Sequence, residues 1–249
     1  MTWSMLGWIL ICLAGLGLFV FHYLIQDRIK YTVRKSPPVE GLSRAWVSAI
    51  ERGQSRQVVL GDQFWSRGYP LLGLHALSLV KHLIGPETAI DGRQAFYGGD
   101  GSLVVFARQI VEDRYQGGFT PALVEPGIGV ILAGPDRFGF TAGFLPELSG
   151  QRMGILALSG NYGPESSIWA VAAKARGSHV FSAAGTLSVQ AALFSYVNDL
   201  LIGEEIFSLP GMLDDTARNQ ATWLTEDILR IVLILFLIIA ATLKMLGVI

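Results

Sequence analysis

"GILALSGNYGPESSIWAVAAKARGSHVFSAAG", Gly154 to Gly185, decides the fold of this chain. An apolar run of strand length, "GILALSG", stops at Gly160. Pro164 then stands where a helix can begin, and "PESSIWAVAAKAR" carries Lys174 and Arg176 in its last turn before Gly177 ends it. "HVFSAAG" reads as a second strand. A strand, a helix of this length and another strand in succession predict a parallel pair joined by a crossover helix.

The same order occurs upstream. "QVVLG" ends at Gly61, Pro70 opens "PLLGLHALSLVKHLI", Gly85 and Pro86 close it, and "QAFYG" follows. Each second strand leads into a further helix, Ser102 to Arg114 in the first half and Thr186 to Leu201 in the second. The expectation is an α/β fold of two strand-helix-strand-helix halves forming a mostly parallel sheet. Between the halves, "GPDR" is a turn signal flanked by apolar runs, so a β-hairpin inserted at about 127–146 is expected. Phe138, Phe140 and Phe144 would give it an aromatic surface, either covering the sheet or meeting a neighbouring subunit.

The ends of the chain are of another kind. With 51% hydrophobic residues, 16% charged and a mean hydropathy of +0.45, the 249-residue chain is too apolar for an ordinary soluble domain. Leu6 to Leu24 is uncharged, a length that reaches about 28 Å as a helix, and Ile231 to Ile249 holds one charge, Lys244, close to its end. Transmembrane helices are therefore expected at 1–26 and 229–249, with the lipid bilayer as a partner. The first run lacks the basic start and small-residue cleavage site of a signal peptide. Arg28, Lys30, Arg34 and Lys35 follow it, which by the positive-inside rule places the central domain in the cytoplasm of a cell (inner) membrane and both termini outside. A basic stem and linker are expected at 27–41, with "SPPVEG" as its stiff part, then the domain at 42–208 and an acidic stem at 209–228.

Few residues carry a chemical signature. The net charge of −1 argues against a nucleic-acid partner, and Cys12 alone can form neither an internal disulfide nor a cysteine metal site. His75 and His82 lack the close pairing and carboxylate of a zinc helix. No metal site is expected, and none of the turns spells a Walker loop or the GxGxxG spacing, so no cofactor is expected either. "GGDG" resembles the signature loop of diguanylate cyclases, but after its aspartate that motif continues with an acid and a phenylalanine, where Gly101 and Ser102 stand here and open a helix. In an open parallel sheet ligands bind beyond the carboxyl ends of the strands, where helix N-termini offer N–H groups. The candidates there are Asp62, Gly99, Asp100, Ser102, Gly160, Asn161, Glu165 and Thr186. Asp100 or Ser102 serves equally as an ordinary helix cap, and that reading is preferred for the "GGDGS" turn.

"VVLGDQFWSRGYPLLGLHALS", "GGDGSLVVFARQIVEDRY", "LSGNYGPES" and "WLTEDILR" together resemble a bacterial family of uncharacterised two-span membrane proteins, a domain of unknown function. The resemblance implies the two anchors and transfers no catalytic residue. Two functions are expected from the residues: a membrane-anchored scaffold or assembly subunit, a homo-oligomer or docked on another membrane protein; or a tethered enzyme or sensor holding a small anionic or nucleotide ligand at the strand ends.

Overall fold

The computed structural model describes residues 36–61, 70–84, 93–116, 128–150 and 152–213, and single positions or short stretches in 12–19 and 227–242. The chain divides into two units, one of Lys35–Leu213 and one of the end segments Met1–Arg34 and Asp214–Ile249. The central unit runs α1 (Pro37–Glu51), β1 (Ser55–Val59), α2 (Pro70–Leu83), β2 (Gln94–Gly98), α3 (Gly101–Gln116), β3 (Ile128–Leu132), α4 (Arg137–Gly150), β4 (Met153–Gly160), α5 (Ser166–Lys174), β5 (His179–Ala184), α6 (Leu187–Leu193), β6 (Asp199–Leu200) and α7 (Glu205–Leu213).

The six strands form one sheet in the order β3-β2-β1-β4-β5-β6, and every neighbouring pair is parallel. This is the Rossmann-like order, whose reversal point lies between β1 and β4. Helices cover both faces. Leu42 and Trp46 of α1, Leu79 of α2, Leu103 of α3 and Leu209 of α7 share one core with Val58, Phe96 and Phe181. Phe140 and Phe144 of α4, Trp169 of α5 and Leu193 of α6 share the other with Val59, Tyr97 and Leu158. β1 and β4 are buried on both faces, which is why "GILALSG" shows no polar alternation. β1 does carry Arg56, fully buried, its guanidinium 5.8 Å from the centre of the Trp46 ring.

Four expectations are corrected here. No hairpin forms at 127–146: Ile128–Leu132 joins the sheet beside β2 in parallel, and Arg137–Gly150 is a helix. "GPDR" ends a strand and starts a helix, because Asp136 accepts a hydrogen bond from the Gly139 N–H at 2.6 Å and its carbonyl accepts one from Phe140 N–H at 2.7 Å. α4 lies across β1 and β2. Gln57 Nε2 donates to the Glu147 carbonyl at 3.3 Å, and burial with the Glu147 carboxylate alongside pushes the Tyr97 phenol far above its ordinary pKa.

"SPPVEG" is no linker either, since Pro37 opens α1, where a missing N–H costs nothing, and Val39 and Gly41 are buried. The chain at 209–213 is core rather than stem, with Leu209 and Gly211 buried in α7. Finally, the helix expected over Thr186–Leu201 stops at Leu193: Asn198 exchanges bonds with Val180, and Asp199–Leu200 becomes the sheet's sixth strand.

Among the described residues no helix is long and apolar enough to cross a membrane. Most of the expected spans at 1–26 and 229–249, the basic cluster Arg28 to Lys35 and most of the acidic stem lie outside the described residues.

Candidate functional site

The carboxyl ends of the strands carry most of the sequence-derived candidates. β1 continues into Leu60 and Gly61, while Asp62 lies outside the described residues. In this strand order a crevice opens where the chains leaving the two central strands part to opposite faces. Here they stay in contact beyond the strand ends. Gly61 (φ +90°) and Gly160 (φ +135°) face each other's chains: a Cβ on Gly61 would come 2.8 Å from the Asn161 carbonyl oxygen, and one on Gly160 would come 2.5 Å from that of Leu60. Both glycines serve the approach of protein backbone to protein backbone. The ladder also runs on, with Gly99 N–H donating to Gly61 O at 2.9 Å, Ala133 N–H to Gly98 O at 3.0 Å and Gly185 N–H to Gly160 O at 3.0 Å.

The "GGDGS" turn is a cap. Asp100, 9% exposed at the end of β2, accepts on Oδ1 from the Ser102 N–H at 2.9 Å and from the Ser102 hydroxyl, and its carbonyl accepts from Val104 N–H at 3.1 Å. Glu165 folds back before α5 so that Oε1 accepts from Gly163 N–H at 2.9 Å, with Arg137 Nε 3.9 Å away. A Cβ on Gly163 would fall onto that carboxylate, so the glycine makes room for it. Asp136 does the same service for α4, and sequence reading passed over it by taking its neighbours for a hairpin turn.

Two helix starts on this edge, those of α3 and α4, thus already hold a carboxylate of their own chain, and the turn before α5 holds a third. Helix N-termini attract anions through free N–H groups and the helix dipole. With carboxylates in place, an incoming phosphate meets occupied donors and like charge.

Two further candidates follow β4 and β5. Asn161 is buried with its backbone against Gly61, and Tyr162 next to it is inside the core, where burial raises its phenol pKa far above the ordinary value. Thr186 precedes the seven-residue α6, its hydroxyl 3.5 Å from that of Ser188. Among the described residues no group of three metal-ligating side chains comes together. His75 lies edge-on to Phe207 at 5.5 Å, and burial lowers its pKa, keeping the imidazole neutral at pH 7.

Of the candidate interface residues, Phe140 and Phe144 are fully buried in the domain's own core, which corrects their assignment to a subunit contact, while Phe138 is 88% exposed. Other apolar surface lies in an open groove of about 600 Å³ between α4 and α5, lined by Leu145, Leu148, Ile168, Val171 and Tyr196.

If Asp100 is a cap, Asp100→Asn should change stability by less than about 0.5 kcal/mol, because asparagine caps equally well, whereas Asp100→Ala should cost about 1 kcal/mol. Urea denaturation of the two variants checks the pair. Equal losses would show that the charge, not the cap, is what this position supplies. Set against protein-family models, curated proteins and solved structures, the chain matches none, so its site is assigned from its own residues.

Proposed function

We propose that this chain is a membrane-anchored assembly subunit: the apolar runs Leu6–Leu24 and Ile231–Ile249 hold it in a bilayer, and its α/β domain, on the cytoplasmic side, binds a second copy or a neighbouring membrane protein. The observation that carries assembly over small-ligand binding is that Asp100 and Asp136 fill the starts of α3 and α4 and Glu165 the turn before α5, which occupies donors an anion would use at those three places. Support for the anchors comes from Ile231 to Ile234. These consecutive helical residues are 57%, 39%, 44% and 55% exposed. At about 100° per residue four in a row point all round a helix, and exposed apolar side chains on every side suit lipid.

A second reading has the strand order in its favour: a tethered enzyme or sensor taking a small anionic or nucleotide ligand between β1 and β4. Native mass spectrometry of the full chain in mild detergent separates the two. The expected spectrum contains multiples of the 27.0-kDa chain with no retained small molecule. A nucleotide or other anion released in stoichiometric amount would favour the second reading. For topology, alkaline phosphatase fused after Ile249 should be active, and the same reporter replacing the domain after Gly41 should be silent. Activity at Gly41 would put the domain on the other side.

A further inference from the structure

We infer that two copies of this chain join edge to edge through β3, the strand pairing antiparallel with its own counterpart about a two-fold axis at Val130. This rests on the self-association proposed above and names its surface.

The two edges of the sheet are built differently. At one, β6 is only Asp199–Leu200, and Asp199 Oδ2 is taken up by His179 Nε2 at 2.6 Å, so that edge is short and charged. Natural sheets protect free edges in this way. At the other, β3 reads "IGVIL", five residues with no charge, proline or bulge, and among the described residues only β2 pairs with it. Ile131 and Leu132 are 41% and 51% exposed. An edge of this composition is a template for another strand.

The backbone and side chains identify that strand. Ala133 N–H donates inward to Gly98 O, so by alternation Ile131 and Gly129 also point their polar groups toward β2, and Ile128, Val130 and Leu132 point theirs outward. A second β3 run antiparallel about Val130 sets Val130 against Val130 and Ile128 against Leu132, each pair exchanging two bonds, a ladder of about six. On the opposite face Ile131 falls against Gly129 of the second copy, a bulky residue against one with no side chain, and the match repeats on the other side of the axis. The segment is complementary to itself, which is the requirement of a two-fold interface.

The test uses the full chain in mild detergent, its mass followed by native mass spectrometry and by analytical ultracentrifugation across a dilution series. Wild type is expected as a dimer. Val130→Pro removes the outward N–H, which among the described residues has no intramolecular acceptor to lose, and Leu132→Lys charges the edge; each should weaken dimerisation on the order of tenfold to a hundredfold. Circular dichroism and melting confirm that the variants fold, and Leu132→Lys stands if the proline disturbs the monomer. A wild type that is monomeric throughout overturns both this inference and the self-association reading. An oligomer unmoved by either folded variant overturns the β3 edge alone. A complex whose mass is not a multiple of 27.0 kDa and which both variants dissolve assigns the edge to a different protein.

Discussion

Phe140→Ala is expected to destabilise the α/β domain by about 3–5 kcal/mol, the range for emptying a buried aromatic site. Phe140 is fully buried and sits in a run of rings: its centroid lies 5.1 Å from that of Trp169 at 45° and 6.0 Å from that of Phe144, which in turn is 4.8 Å from Tyr97. Such pairs add to the area they bury. The side chain also holds α4 in place, a helix whose own sequence gives it little support. In a domain of this size the loss corresponds to a melting temperature lower by roughly 10 °C, read from near-ultraviolet circular dichroism of the full chain in detergent. Phe138→Ala, two residues earlier and 88% exposed, should stay within about 0.5 kcal/mol of wild type. Equal melting of Phe140→Ala and wild type would mean that the ring lies outside the core.

Gly160→Ala should be nearly as costly, at about 3 kcal/mol or more. Two penalties combine: φ of +135° is open to almost no residue but glycine, and the new Cβ would press on the Leu60 carbonyl at 2.5 Å, which belongs to the backbone and cannot swing away. Gly177→Ala isolates the first penalty. Its φ is +77°, but no atom lies within 4 Å of the added Cβ, so its cost should be about 1 kcal/mol. Urea midpoints of the two variants, compared at equal slope, give the difference directly. If the two losses agree within error, the chains leaving β1 and β4 are free to part and the crevice between them is open.

The sequence was readable where a helix is bounded by its own punctuation and misleading where glycine serves packing. Pro70, Gly85 and Gly177 mark boundaries that the structure keeps to within a few residues, and "QAFYG" is β2 itself. Around α4 the same residue types mean something else. Gly143 is there because the Ala133 carbonyl occupies the place of its side chain, and Gly134 lies against the backbone of Gly139 and Phe140. With Gly139 and Pro146 also in the stretch, helix propensity is low and the helix forms because Phe140, Phe144 and Leu148 pack on the sheet. Tertiary contacts of that kind leave no local mark, so "GPDR" passed for a hairpin turn. β6 escaped for a related reason: two residues are too few to show a period, and Asn198 is recognisable as a strand-pairing residue only once Val180 is beside it. At the strand ends Asp100 and Glu165 stand out in the sequence and Asp136 does not, and whether a carboxylate receives a ligand or caps its own helix depends on distances of one hydrogen bond.

The pairing of β1 with β4 also governs how the domain can be made. Ser55 finds Met153, and Val59 finds Leu158, across about a hundred residues of chain, a separation typical of slow, non-local assembly. At ribosomal rates of about 5–20 residues per second, β4 leaves the ribosome on the order of 5–20 s after β1. Until then β1, central in the finished sheet, has an open edge, and Val59 and Tyr97 have no α5 or β4 to cover them. A nascent chain halted after Gly150 would hold β1, β2 and β3 but lack the strand that joins the halves, and its exposed edges would be targets for chaperone binding or for pairing with another unfinished chain.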